Sequence, residues 1–427
     1  MQAQAAPRRE VLQKETELRL EVKENHSLTL KLVKGQAEIF GTDLLEQQIY
    51  TLRAQKIAVF TWEGCELQLQ GIREPVEDAI EVIYESGDTP MREYANVHDL
   101  LQKRRAAALT HGSEGPRTMV LGQTDVGKST LCKILLNYAI RKDCAPTMID
   151  LDPGQGSIAP PACVGATPVE GPIDVEEGLP VEMPLVYFAG NVSPDPNPQL
   201  YRHHVECMAA LLDKRAQSNL QVRAAGMMIN SMGWIDGLGY ELILHALNTF
   251  RVDFVLVIGQ DRLYSQLGSI FRGNQSVSVI KLTRSGGVVN RPRELRKSSR
   301  DQRIREYFYG PRNDLQPSLV TVPFANLRVF RVGSGFAAPR SALPIGGQSV
   351  SNPLKVTPVT SMNDLMHMLI AVSHAQQPDQ LLSANIAGFI WISSVDPVQQ
   401  VVTYLAPCAG DLPAPFLLAG TVKTFLR

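Results

Sequence analysis

The chain lacks several things that would narrow its class at once. No run of about 18 apolar residues occurs in its 427, so no membrane-spanning helix is expected. The opening segment, Met1-Gln2-Ala3-Gln4-Ala5-Ala6-Pro7-Arg8-Arg9-Glu10, has no apolar core of the kind a secretion signal carries. Cysteine is sparse and scattered, at Cys65, Cys132, Cys144, Cys163, Cys207 and Cys408, with no C-x-x-C pair. That pattern argues for free thiols in a reducing compartment and against both a disulfide framework and a zinc site. Neither sign of charge is in excess: 42 Lys and Arg face 43 Asp and Glu, for a net charge of −1. No whole-molecule field therefore draws in nucleic acid, and any polyanion site must be local. Internal repeats and low-complexity tracts are absent too. What remains is a soluble globular composition, 44% hydrophobic and 20% charged, in a chain long enough for two or three domains.

Residues 15 to about 90 read as β. Glu17-Leu18-Arg19-Leu20-Glu21-Val22 alternates with period two, as do Leu28-Thr29-Leu30-Lys31-Leu32 and later segments, with Gly35, Gly41, Gly64 and Gly71 as punctuation. Short strands with turn signals between them suggest a small β-sandwich. A helical pattern over 94–108 leads onward. From 116 to about 310 strands and helices alternate, with strands expected at 118–121, 147–151, 185–189, 226–230, 254–258 and 277–282 and helices at 198–212 and 240–250. This βαβ succession predicts a parallel, doubly wound sheet, whose ligands sit at the carboxyl ends of the strands. From about 313 the pattern is β again, with a helix expected over 361–374, so a third domain of mixed α/β type is predicted. The divisions are 1–95, 96–312 and 313–427.

The run Gly122-Gln123-Thr124-Asp125-Val126-Gly127-Lys128-Ser129-Thr130 stands between an apolar strand and a helical pattern. That context makes a G-x-x-x-x-G-K-S match a phosphate-binding loop. Glycine lets the backbone curl so that consecutive N–H groups face one anion, and the helix N-terminus adds partial positive charge. Lys128 is placed to reach the β- and γ-phosphates, and Ser129 to offer a hydroxyl to Mg²⁺. The chain thus reads as a binder of a nucleoside triphosphate.

The second strand ends in Asp150-Leu151-Asp152-Pro153-Gly154-Gln155-Gly156. Two carboxylates two residues apart point to one side of an extended chain. Such a strand-end aspartate either holds Mg²⁺, often through water, or accepts a proton from an attacking hydroxyl. The structural alternative is a helix cap and a solvated turn residue. A GTPase would carry D-x-x-G-Q, which here is one residue too long, and N-K-x-D, where this chain has Gly259-Gln260-Asp261-Arg262. Nothing selects guanine, so ATP or loose base selectivity is expected. Trp234, in the glycine-rich segment after the strand ending at Asn230, is either a core residue or a stacking platform for a nucleobase. Arg291, Arg293, Arg296, Lys297, Arg300, Arg303 and Arg305 crowd one stretch, with Arg296 and Arg300 on one helical face. They form either a solvated surface or a lid that neutralises charge developing in phosphoryl transfer.

With these pieces assembled, the chain resembles the polyribonucleotide 5′-hydroxyl kinases of the Clp type, subunits of the pre-mRNA 3′-end cleavage and polyadenylation machinery. The resemblance runs nearly the whole length. It rests on Thr16-Glu17-Leu18-Arg19, Ala37-Glu38-Ile39-Phe40-Gly41-Thr42, Thr124 to Thr130, Leu151-Asp152 with Gly154-Gln155-Gly156-Ser157, and Gly233-Trp234. Its most specific blocks are Ser285-Gly286-Gly287-Val288-Val289 and Arg303-Ile304-Arg305-Glu306-Tyr307-Phe308-Tyr309-Gly310. It implies a β-sandwich, a P-loop kinase core and a C-terminal α/β domain, with transfer of the ATP γ-phosphate to the 5′-hydroxyl of RNA. It implies Lys128, Asp152, Arg296 and Arg300 as catalytic residues. Thr124, Asp125, Val126, Gly127, Lys128, Ser129 and Thr130 bind ATP in this reading, with Glu17 and Lys56 at the adenine. Mg²⁺ is expected on Ser129 and, through water, on Asp152. Trp234 corresponds to the base-stacking residue, and Gln155 and Asn191 are further RNA-binding candidates. Departures are Asp150 for Glu, Ser231 for Thr, and Pro153 in place of a small apolar residue. Expected partners are RNA with a 5′-hydroxyl end, subunits of the cleavage and polyadenylation complex, and tRNA splicing endonuclease, with no membrane and a nuclear location. The alternative is a catalytically silent, ATP-bound scaffold in the same complex.

Overall fold

The computed structural model describes residues 7–333 and 352–426. The N-terminal part is a sandwich of two sheets. One has the order Arg8–Leu12, Cys65–Gly71, Ser27–Gly35, Ile49–Arg53, and the other Thr42–Asp43, Glu38–Ile39, Lys56–Thr61, Thr16–Val22, Ile80–Ser86. Period-two alternation builds it: Leu28, Leu30 and Leu32 are buried while Thr29 and Lys31 between them are half-buried. They meet Leu18, Leu20, Leu52, Val59, Leu67 and Leu69 in one core. Strand Thr16–Val22 breaks the alternation, because Glu17 and Arg19 are buried as well. Its outer face is covered by the rest of the molecule, and that covering makes the cleft described below.

Helix Met91–His111 joins the sandwich to the central sheet and stops at Gly112 in the left-handed conformation. The central sheet has seven strands in the order Leu185–Phe188, Cys163–Pro168, Thr147–Asp150, Met227–Asn230, Arg117–Leu121, Phe254–Ile258, Ser278–Leu282. Its middle strands are apolar on both faces, as parallel strands between two helical layers must be. Met119, Leu121, Ile149, Ile229, Val255 and Val257 enter one core, and Val120, Met148, Met228, Leu256 and Ile258 the other.

The sheet is mixed at one edge, against the all-parallel expectation. An unexpected strand, Cys163–Pro168, runs antiparallel to both Thr147–Asp150 and Leu185–Phe188. A parallel crossover ordinarily needs a helix, and the segment 151–162 contains none, so the chain can only turn back. The helix expected over 361–374 is also absent. Its residues form a 3₁₀ turn, Met362–Leu365, and then strand Met368–Ser373, buried along its whole length. A short continuous apolar run suits a buried helix and a buried strand equally, and here pairing with strands Ile386–Asp396 and Phe416–Lys423 decided it.

That strand lies mid-sheet in the C-terminal region, whose seven strands run in the order Ser318–Pro323, Val401–Ala406, Ile386–Asp396, Met368–Ser373, Phe416–Lys423, Arg328–Val332, Val356–Pro358. One face packs on Val186 and Phe188 of the central sheet and on Ile304 and Phe308 of helix Arg293–Tyr309. Among the described residues no helix is long and apolar enough to cross a membrane.

Candidate nucleotide and phosphoryl-transfer site

A cleft of about 710 Å³ opens where the outer face of the N-terminal sandwich meets the carboxyl ends of the central strands. Its floor is the phosphate loop, with helix Lys128–Ile140 leaving it. Thr124, Asp125, Val126, Gly127, Lys128, Ser129 and Thr130 all line the cleft. Lys128 is buried and donates to the carbonyls of Gly122 at 3.0 Å and Gln123 at 2.7 Å. An ammonium has three donors, so this leaves one for the cleft. Burial lowers the Lys128 pKa, opposed by Asp152 and more weakly by Asp125 and Asp150.

The two strand-end aspartates divide their work. Asp150 is buried and takes four donors: Asn230 Nδ2 at 3.1 Å, the Asp152 amide at 3.1 Å, and the Ser157 amide and hydroxyl, each at 2.8 Å. Its lone pairs are spent on holding the loop 151–157 to the sheet. Asp152 accepts the Gly154 and Gln155 amides on Oδ1, at 2.9 and 3.1 Å. Oδ2 takes part in neither bond, and the residue lines the cleft. Burial and the Asp150 charge push the Asp152 carboxyl up to about 6, against the two amides and Lys128. A carboxylate so poised can accept a proton near neutral pH.

The roof is helix Arg293–Tyr309 with the segment leading into it. Asp125, only 5% exposed, is its latch: it accepts the Arg291 amide and Nε at 2.9 Å each and Arg296 Nη1 at 3.2 Å. The Asp125 side chain is thus taken by the roof, and what it presents to a phosphate is backbone. Arg300 lines the cleft. Burial lowers its pKa and Arg296 and Arg293 act in the same direction, against Asp301 and Asp152. Gln155 joins floor to roof, donating to its neighbour Gly154 O at 2.9 Å and to Arg296 O at 3.4 Å.

At the other end Glu17 and Lys56 both line the cleft, but they are not paired with each other. Glu17 accepts Arg19 Nε at 2.5 Å and the Thr89 hydroxyl at 3.1 Å, whereas Lys56 pairs with Glu21 at 2.5 Å. Arg19 carries no signal of its own in the sequence, yet it organises this end. It lies over the Tyr84 ring at 5.6 Å and donates to Asp88 O at 2.7 Å. A Cβ on Gly287 would stand 2.8 Å from Arg19 Nε, which gives the Ser285-Gly286-Gly287 block a physical reason. Lys133, also unforeseen, lines the cleft beneath Phe40, and burial together with Arg303 lowers its pKa. A lysine one helical turn beyond a phosphate-loop serine was the available signal.

Trp234 lies outside the lining of this cleft. Its half-buried ring packs on the core that contains Met232, Ile235 and Leu242, so the structural alternative holds for at least part of the ring. Its segment nevertheless touches the phosphate loop, since a Cβ on Gly233 would fall 2.2 Å from Thr124 Oγ1. Asn191 is not brought to the cleft either: it accepts the Thr421 hydroxyl at 2.8 Å and lines a second cavity. For Mg²⁺ the fit is chemical: Ser129 and Asp152 supply hard oxygen donors in one cleft, the kind that ion takes beside phosphate.

This geometry can be set beside known proteins. Three family models match in tandem: the N-terminal beta-sandwich domain of polyadenylation factor over 11–108, the mRNA cleavage and polyadenylation factor CLP1 P-loop over 122–310, and the pre-mRNA cleavage complex II protein Clp1 over 315–424. The protein CLP1 homolog of Arabidopsis thaliana is 47% identical over 96% of this chain and 93% of its own length. The chain belongs to the Clp1 family. Another relative, the polyribonucleotide 5′-hydroxyl-kinase Clp1 of Homo sapiens, is 43% identical over 96% of this chain and 95% of its own. A solved wild-type Clp1p–Pcf11p complex shares the fold, with a TM-score of 0.83 and 24% identity over 98% of both chains. The family's P-loop model covers the cleft floor and the whole roof, so nucleotide binding follows from family and geometry together.

Proposed function

We propose that this protein is an ATP-dependent polyribonucleotide 5′-hydroxyl kinase that acts in pre-mRNA 3′-end processing. The observation that carries the reading is Asp152: a carboxylate whose Oδ1 holds its turn while Oδ2 enters neither of those bonds, in one cleft with Lys128, Ser129 and Arg300. A scaffold that only stores nucleotide has no need of a carboxylate and an arginine facing the same cleft as the phosphate loop.

In this reading ATP lies with its base between Glu17 and Lys56 and its phosphates on the backbone of 124–130. Asp152 takes the proton of the RNA 5′-hydroxyl as its oxygen bonds to the γ-phosphorus and the bond to the β-phosphate oxygen breaks, giving ADP. Lys128 and Arg300 stabilise the charge spread over the transferring group, as does Arg296 once it leaves Asp125. Phosphoryl transfer asks mainly for such positioning and electrostatics. Mg²⁺, held by Ser129 and through water by Asp152, would neutralise β- and γ-phosphate charge. Trp234, beside the phosphate loop, offers the exposed part of its ring to a base, and Gln155 and Asn191 complete the RNA contacts. The relatives' names point to the cleavage and polyadenylation complex for partners, and the Clp1p–Pcf11p structure to a second factor of that complex bound directly. A nuclear location and a role with tRNA splicing endonuclease belong to the same proposal.

The test is incubation with γ-labelled ATP, Mg²⁺ and a short 5′-hydroxyl RNA beside a Lys128→Ala control. Label on the RNA, lost in the control, supports the kinase. Retained nucleotide with no ADP and no label would leave the silent scaffold.

A further inference from the structure

A second cavity, of about 570 Å³, lies between the central and C-terminal sheets. One wall holds Gly190, Asn191 and Asn197, and the facing wall holds Arg331, Thr421 and Lys423. Its position follows from topology. Strands Thr147–Asp150 and Leu185–Phe188 are both antiparallel to the strand between them, so they run the same way. Segment 189–193 therefore leaves the sheet at the end where Asp150 and Asp152 stand, two strand spacings or about 10 Å across. The back of that segment touches the reacting cleft, because a Cβ on Gly154 would come within 2.8 Å of Val192 O. One short loop thus separates the two cavities.

The chemistry of the second cavity is weighted toward donors and positive charge. Arg331 has its Nε buried without a partner, and its nearest carboxylate, Asp364, is 3.9 Å away at Nη1. Lys423 pairs with no carboxylate among the described residues. Asn191 accepts from Thr421, and its amide donors enter none of the described hydrogen bonds. Asn197 is committed, donating to Pro353 O at 2.7 Å and capping helix Pro198–Ser218 through Leu200. Two cations against one carboxylate, itself 3.9 Å from the guanidinium, suit a phosphodiester chain, whose oxygens only accept.

We propose that this cavity binds the sugar–phosphate backbone of RNA a few nucleotides downstream of the 5′-hydroxyl presented to Asp152, through Arg331 and Lys423 and without regard to sequence. The inference rests on the kinase reading above and adds to it a length preference: RNA long enough to pass the 189–193 loop binds better than a dinucleotide.

The experiment compares a 5′-hydroxyl dinucleotide with a decamer, using the full chain, the Arg331→Gln/Lys423→Gln double variant, and Arg331→Lys, which keeps the charge. Phosphorylation kinetics and fluorescence anisotropy of a 3′-labelled decamer are both read. In the double variant the decamer KM should rise roughly tenfold, while kcat and the KM values for ATP and dinucleotide hold. Arg331→Lys should retain most of the decamer affinity. The slope of log affinity against log salt should fall by about 0.7 for each phosphate that the variant no longer neutralises. An unchanged decamer KM would overturn the inference and leave the cavity to a protein segment. Equal losses on dinucleotide and decamer would overturn it too, as damage to the reacting cleft. Should the wild type phosphorylate no RNA, the kinase reading fails separately. Anisotropy then decides alone: decamer affinity lost in the double variant supports the RNA path, and affinity retained refutes it.

Discussion

The floor and the roof of the cleft are built by different means. The floor is tied to strands buried on both faces, and its structural carboxylate, Asp150, has four donors. The roof is apolar only toward its far end, where Ile304 and Phe308 are buried against the C-terminal sheet and Tyr307 accepts the Phe389 amide at 3.0 Å. Over the phosphate loop it is held by charge, through Arg291 and Arg296 on Asp125. Groups that must not move are fixed by packing and saturated hydrogen bonds. Groups that must meet an incoming anion are held by ion pairs to one carboxylate, with the arginine ends part-exposed, so an anion in the cleft can take over as partner.

The largest effect that would break this comparison is expected on the floor. Asp152→Asn keeps an Oδ1 acceptor for Gly154 and Gln155, so the loop should fold, but it removes the base. Single-turnover rates should fall by about 10²–10⁴-fold with unchanged melting temperature and ATP affinity. A loss below threefold would mean that Asp152 only shapes its turn. On the roof, Arg300→Ala should lower kcat by about 10²-fold with little change in the KM for ATP, since its charge matters most in the transition state. An effect confined to KM would make it a ground-state contact.

The acid limb of the pH profile sharpens the same contrast. The Asp152 pKa is raised to about 6, so the base is ionised above that value and protonated below it. The kcat/KM of free enzyme should therefore drop about tenfold for each unit below pH 6, and a limb centred near pH 4 would contradict this. The smallest effect belongs to the latch. Asp125→Asn removes the carboxylate charge from Arg291 and Arg296 while the backbone of the phosphate loop remains. ATP association and dissociation by stopped-flow should each become a few fold faster while kcat stays nearly intact, because the substitution loosens the roof and leaves Lys128, Asp152 and Arg300 in place. A hundredfold loss of kcat would instead make Asp125 part of the chemistry.

Legibility follows the same division. The phosphate loop and the alternating leucines of the sandwich are readable because each is a local pattern with one physical meaning, whereas the strand-end pair Asp150 and Asp152 is readable as a pair but not in its division of roles. Strand Cys163–Pro168 is hidden by its short, unpatterned segment with Gly165 and Pro168. Strand Met368–Ser373 reads as a helix because a fully buried apolar run has no period to read. Arg19 looks like one more outward residue of an alternating strand, and only the covering of that face makes it a cleft residue. Asn191 lines the second cavity and accepts the Thr421 hydroxyl, a placement that only the packing of the C-terminal sheet on segment 189–193 decides.

What the sequence by itself determined is the chemistry on offer: a strand, a phosphate loop and a helix in one run of chain, a carboxylate at a strand end, and a run of arginines. These depend on neighbours a few residues apart, whose geometry the backbone dictates. Only the tertiary structure decided which arginines close on Asp125, across 166 and 171 residues of chain, and that Glu17 binds Arg19 while Lys56 binds Glu21. Ion pairs are short-ranged and indifferent to sequence separation, so partners among 85 charged side chains are chosen by packing, which brings a few within 4 Å and leaves the rest in water.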